Sequence, residues 1–328
     1  MLLLVLIVVV ALAFDFTNGF HDSANAIACS ISTRALSPRV ALLMAAAFNM
    51  LGAFAGQKVA QTVGKGIVTL PTDSQTVVLA ALAGAIVWNL ITWYFGIPSS
   101  SSHALIGGLV GATLVAVGSS GVEWSGIVHK VIVPMVSSPV IGLLVAFLLM
   151  NALLLLVFRW APAPVQRHFR RLQPLSSAAV AFAHGSNDAQ KTMGVITLAL
   201  ITSGHLAANA SIPTWVIVLA ACSMALGTYA GGRRIIKTLG QKVVRLDPIH
   251  GFAADTSSAA VIYTAAHFGF PISTTQSITA SIMGAGATRG LGKVKWSVAG
   301  TIAWAWVFTL PAAALMAAGA YALIHLLQ

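Results

Sequence analysis

The sequence predicts an all-α polytopic membrane protein, built as two inverted-topology repeats of about five membrane segments each, with broken or re-entrant helices. Three observations predict it. Of the 328 residues 58% are hydrophobic and only 8% are charged, where soluble domains carry about 25% charged residues. A polar motif lies twice inside apolar runs: Asn18-Gly19-Phe20-His21-Asp22-Ser23-Ala24-Asn25-Ala26, then His184-Gly185-Ser186-Asn187-Asp188-Ala189-Gln190-Lys191-Thr192, with Asp22 and Asp188 in register. Basic residues, finally, crowd into alternate loops.

A span needs about 20 mostly apolar residues. The first run, 1–33, is too long for one plain span and polar at its middle. It reads as a discontinuous helix or a half-helix with a re-entrant segment. Its first 13 residues resemble a signal-peptide core ending in Ala11-Leu12-Ala13, but no basic residue precedes them, and cleavage there would leave the motif at a new terminus. Runs at 39–56, 75–95, 99–118 and 129–158 follow. The polar, basic stretch 160–174 divides the chain into a first membrane repeat, 1–159, and a second, 175–328. The second half holds runs at 175–203, 213–231, 249–268, 271–288 and 297–327. The halves match again where Gly96-Ile97-Pro98-Ser99-Ser100-Ser101-Ser102 aligns with Gly269-Phe270-Pro271-Ile272-Ser273-Thr274-Thr275, and more weakly at Leu51-Gly52 and Leu226-Gly227. Five spans per half insert the second copy upside down, a pattern of secondary transporters.

Charge tests the count. With ten spans, fourteen of the eighteen basic residues fall on one side; Lys58, Lys65 and Lys130 fall on the other, and Lys191 lies within a span. The rule that cytoplasmic loops are positive then puts residues 160–174 in the cytoplasm and both termini outside, in a multi-pass plasma-membrane protein. The net charge of +11 belongs to these loops. No basic block with interleaved aromatics offers a nucleic-acid surface, so the partner is the lipid bilayer. Cys29 and Cys222 lie in apolar segments and imply packing, with no disulfide framework.

A carboxylate at bilayer depth costs about 2.5 kcal/mol or more and marks a functional site. Asp22 and Asp188 are therefore the expected sites of cation or proton coupling, with Asn25 and Lys191 three residues on along the same helical faces. The competing readings are helix capping for the aspartates and a snorkelling side chain for Lys191. Lys191 stands where the first copy has Asn25, so it supplies fixed charge where the first half would hold a mobile cation. Asp15 and Asp255 have no counterpart in the other half. The hydroxyl runs Ser100, Ser101, Ser102 and Ser273, Thr274, Thr275 each open an apolar helix after a proline. Such helix starts suit a tetrahedral oxyanion, and ordinary capping is the rival explanation. Asn187 joins them. His103 and His184 are possible proton relays; with His21 they have no recognised metal-ligand spacing, and any metal site stays unknown.

These stretches resemble the inorganic phosphate transporter (PiT) family, in its bacterial low-affinity branch, over nearly the whole chain. Ala305-Trp306-Val307-Phe308-Thr309-Leu310-Pro311-Ala312 resembles that branch too. The resemblance implies import of inorganic phosphate by cation symport, with the anion between the repeats, the motif aspartates serving the coupling cations and the Ser/Thr turns serving phosphate. Sodium-coupled members are similar in both motifs to Asn-Asp-Val-Ala-Asn-Ala. The Gln190-Lys191 of this chain departs from that pattern and implies proton coupling, with phosphate carried as a neutral complex with magnesium or another divalent metal. No bound cofactor is implied, and a homodimer stays open. The rivals are a sodium-coupled phosphate symporter, a sulfate permease, an anion channel and, from a different class, a membrane phosphatase. The last needs an arginine at depth, and every arginine here lies at a span end or in a loop; the expected protein is not an enzyme.

Overall fold

The computed structural model describes all residues except 208, 232–237, 239–242, 244–245 and 328. Its described residues are organised in helices that follow the apolar runs closely. They are α1 (Leu2–Ser32), α2 (Pro38–Ala53), α3 (Lys58–Lys65), α4 (Gln75–Phe95), α5 (Ser101–Ala116) and α6 (Trp124–Leu156), the last with a π-helical stretch at Ile127–Ile132. After them come α7 (Pro162–Thr202), α8 (Thr214–Ala230), α9 (Pro248–Phe268), α10 (Thr274–Ala287) and α11 (Trp296–Leu326). Among the described residues, α1, α4, α6 and α11 are each long and apolar enough to cross a membrane. The pair α2 and α3, bent by 72°, qualifies as one broken span. Arg233, Arg234, Lys237, Lys242 and Arg245, which enter the charge count, lie outside the described residues.

One expectation is corrected. The Asn18–Asn25 motif does not break its helix: α1 runs unbroken through it for 31 residues. His21, Asp22 and the Asn25 amide nitrogen find partners on neighbouring helices, and the backbone stays wound around them. The stretch 160–174 is helical from Pro162, forming the first turns of the 41-residue α7; proline suits a first turn, and Pro174 is accommodated inside.

Interruption occurs instead at the hydroxyl turns. Gly96 (φ +65°) and Gly269 (φ +79°) end α4 and α9 in the left-handed conformation that glycine reaches without strain. The chain then reverses through a proline into α5 and α10. At 16 and 14 residues these helices rise about 24 and 21 Å, short of a hydrocarbon core about 30 Å thick. Their starts are buried inside the protein. The loops flanking α4–α5 pair with each other, Thr69 N–H donating to the Gly121 carbonyl at 2.9 Å and Glu123 N–H to that of Ile67 at 3.0 Å. Those flanking α9–α10 also meet, through Lys295 N–H to the Val243 carbonyl at 3.0 Å.

Packing pairs each half with the other. A Cβ added to Gly52 of α2 would stand 2.0 Å from the Phe182 carbonyl oxygen of α7, and one on Gly227 of α8 would stand 2.2 Å from that of Phe16 of α1. Gly185 sits likewise on Asn49, and Gly19 on Met224. Gly111 of α5 abuts Ala314 of α11 while Gly284 of α10 abuts Leu143 of α6. Small residues permit such close backbone approach where packing must hold helices together in lipid. Helices α1 and α7 form the central seam and run antiparallel: Asp15 meets Thr192 at one end, and Thr33 meets Gln173 at the other.

Candidate functional site

At the middle of that seam the two motif aspartates come together. Asp22 Oδ1 accepts from the Thr275 hydroxyl at 3.3 Å and faces His21 Nδ1 at 2.6 Å; its Oδ2 accepts from Ser101 at 3.4 Å. Asp188 Oδ1 pairs with the Lys191 ammonium at 2.6 Å, and Oδ2 accepts from Thr274 at 3.3 Å. Both carboxylates are buried. Donor atoms of Asp22, His184 and Asp188 lie within 4.8 Å of one another, so the three could hold a cation together. His184 Nε2 stands 3.4 Å from Asp188 Oδ2 without a hydrogen-bond partner.

The two halves contribute matched contacts. Ser101 donates to Asp22 as Thr274 donates to Asp188. The Asn25 amide donates to Thr275 at 2.9 Å, and the Lys191 ammonium, its counterpart, donates to Ser102. The match breaks at charge. Asn25 keeps an unpartnered Oδ1, whereas Lys191 is locked by Asp188, Ser102 and the Ile272 carbonyl at 3.0 Å. A lysine so deeply placed cannot snorkel: it is 1% exposed.

Capping proves to be part of the answer for the hydroxyl turns. Ser100 and Ser273 cap α5 and α10, accepting from His103 N–H and Gln276 N–H, each at 3.2 Å. The following pairs, Ser101 with Ser102 and Thr274 with Thr275, are thereby turned into the centre. Asn187 donates to the Phe270 carbonyl at 3.0 Å and leaves its Oδ1 unpartnered. His103 is buried with an unpartnered Nδ1. The site therefore combines two carboxylates, one ammonium, four hydroxyls and two helix starts, a set able to hold an oxyanion and a cation side by side.

Several supporting contacts have no signal in the sequence. His21 bridges Asp22 to Thr92 (3.2 Å) and Ser99 (3.4 Å). Asn49 of α2 holds His184 Nδ1 at 3.0 Å and donates to Thr228 at 2.8 Å. Gln190 accepts from the N–H groups of Val59 and Ala60, at 2.9 and 3.4 Å, and so fixes the start of α3. The unmatched aspartates lie along the same seam. Asp15 accepts from Thr192 at 2.9 Å with its second oxygen unpartnered, and Asp255 accepts from Ser177 at 2.7 Å. The only sequence signal for these two was a carboxylate inside an apolar run.

Comparison with known proteins follows the same lines. Residues 18–317 match the phosphate transporter family PHO4. A probable low-affinity inorganic phosphate transporter of Mycobacterium tuberculosis is 52% identical over 98% of this chain and 78% of its own length. One from Bacillus subtilis is 46% identical over 100% and 98%, and one from Rhizobium meliloti is 47% identical over 97% and 96%. A solved structure described as the sodium-dependent phosphate transporter superposes with a TM-score of 0.93 at 27% identity, covering the whole of both chains.

Proposed function

The chain belongs to the phosphate transporter family, and from that premise we propose that it imports inorganic phosphate by proton symport, as a neutral complex with a divalent metal such as magnesium. It is a multi-pass membrane transporter, not an enzyme. The observation that carries the finer reading is the Asp188–Lys191 pair at the position where the first half has Asp22 and Asn25.

Charge arithmetic at the centre supports it. With Asp22 and Asp188 ionised, Lys191 charged and the histidines neutral, the centre carries one net negative charge. A monovalent phosphate alone would double it inside a low-dielectric site, which is unfavourable. A neutral metal–phosphate complex adds none, and one proton cancels the remainder. Binding can then proceed with the Ser101, Ser102, Thr274 and Thr275 hydroxyls donating to phosphate oxygens and Asn187 beside them. Lys191 supplies fixed charge, and the Asp22–His184–Asp188 group receives the metal or the proton. Empty, the ionised centre resists movement through a closed state; loaded, it is neutral, so movement is coupled to cargo.

We read residues 1–159 and 175–328 as inverted repeats on either side of cytoplasmic residues 160–174, with both termini outside. The antiparallel course of the motif helices α1 and α7 and the matched glycine seats support this reading. A sodium-coupled alternative draws support from the first half alone, where Asp22 and the unpartnered Asn25 Oδ1 keep the oxygens a sodium ion would use. Uptake of radiolabelled phosphate into proteoliposomes separates the two. Uptake driven by an imposed proton gradient and stimulated by magnesium is the expected outcome; uptake driven only by sodium refutes the role given to Lys191.

A further inference from the structure

The centre uses one lysine, yet three others converge on a single opening. Lys58 and Lys65, at the two ends of α3, and Lys130 of α6 line one cavity of about 380 Å³ together with Gln61, Gly269 and Phe270. All seven acidic residues of the chain are described, and none of them forms an ion pair with these lysines. Three uncompensated ammonium groups facing one concavity repel each other, and an anion between them relieves that repulsion. They are the same three lysines that the loop-charge count leaves on the outer side.

The cavity is joined to the centre by shared backbone. Gly269 lies against Lys58, so that a Cβ there would stand 3.1 Å from the Lys58 carbonyl oxygen. In the turn that follows, the Phe270 carbonyl accepts from Asn187 and that of Ile272 from Lys191, each at 3.0 Å. Gln190, next to Lys191, holds the N–H of Val59, next to Lys58, at 2.9 Å. The turn 269–272 is thus a wall of the lysine cavity on one side and of the Asp22–Asp188 centre on the other.

We propose that Lys58, Lys65 and Lys130 form an outer capture site for a phosphate group, occupied before the anion passes the 269–272 turn. The site rests on the phosphate-transport reading for its purpose but not for its existence. Lysine binds phosphate as a point charge, and a cleft lined by one sign of charge raises the local anion concentration and the on-rate, by about tenfold or more. A lipid headgroup presents the same phosphate chemistry, so the test must separate the two sources.

In proteoliposomes of phosphatidylcholine alone, the triple Lys→Gln variant should raise KM for phosphate about tenfold with kcat within about twofold of the parent. It should also flatten the fall of kcat/KM with added salt, and the triple Lys→Arg variant should restore both. An unchanged KM and salt slope would overturn the proposal. So would an effect that appears only when phosphatidylglycerol is added, because the lysines would then serve headgroups. A second measurement does not depend on transport: phosphate should protect these three lysines from acetylation, read by mass spectrometry, where chloride at equal ionic strength does not. Protection without any uptake by the parent protein would uphold the capture site and remove the transport reading; equal labelling with and without phosphate would remove the capture site.

Discussion

Replacing Lys191 by methionine keeps the length and helix propensity of the side chain and removes its charge. The structure gives the size of the effect. The ammonium is lost from Asp188 Oδ1 at 2.6 Å, from Ser102 and from the Ile272 carbonyl. Asp188 is left buried with the Thr274 hydroxyl at 3.3 Å and an unbonded histidine nitrogen at 3.4 Å. Removing one partner of a buried ion pair costs about 3–5 kcal/mol, because the other charge stays desolvated and unpaired. Asp188→Asn should cost a similar amount by stranding the lysine. The double variant strands neither charge, and its loss should fall short of the summed single losses by about 2 kcal/mol or more. Denaturant unfolding of the four proteins in one detergent reads this cycle. Additive losses would show that the two residues do not act as a pair and would remove the fixed-charge role given to Lys191.

Other outcomes follow from the same geometry. Asp22→Asn and Asp188→Asn should each reduce phosphate uptake to background at equal amounts of folded protein, counted by fluorescence-detected size exclusion; normal uptake by either would refute its role. Gly52→Ala and Gly185→Ala place a Cβ 2.0 and 2.1 Å from carbonyl oxygens of a facing helix, and Gly300→Ala meets nothing within 4 Å. The first two should each cost about 1–3 kcal/mol in unfolding measurements, and the third, inside α11, should cost nothing and stabilise by up to about 1 kcal/mol. Asp247, in the loop before α9, is pushed up by burial. The His250 hydrogen bond at 2.5 Å, the His250 charge and the Arg289 guanidinium outweigh that push and hold it at about 2, below its ordinary 3.8. Its stabilising contribution is therefore present above about pH 4 and lost as pH falls toward 2. The stability difference between the parent and Asp247→Asn should shrink across that window.

The fold was legible because the duplication survives as residue identity. Asp22 aligns with Asp188 and Ser101 with Thr274 from the sequence alone; the two aspartates come together, and each accepts from its aligned hydroxyl. What misled was a local inference from polarity. The polarity of the Asn18–Asn25 stretch suggests that α1 unwinds there, but His21, Asp22 and the Asn25 amide nitrogen are bonded by Thr92, Ser101 and Thr275, partners remote in sequence. No window along the chain contains that information. For the hydroxyl runs the sequence leaves two readings, an oxyanion site and ordinary capping. Helix geometry divides the runs, giving Ser100 and Ser273 to capping and their successors to the centre. Asn49 gives no signal because a single amide in an apolar segment carries no pattern; its value lies in what the other half brings against it.

Under the proposed mechanism phosphate sits between the two hydroxyl turns and beside Asp22, Asp188 and Lys191. Arsenate has the shape and protonation of phosphate and scatters anomalously. An anomalous difference map from crystals grown with arsenate is therefore the most direct measurement. A peak within hydrogen-bond distance of Ser101, Ser102, Thr274 and Thr275 is the predicted result. A peak confined to another part of the membrane region, while arsenate still competes with phosphate for uptake, would contradict the account.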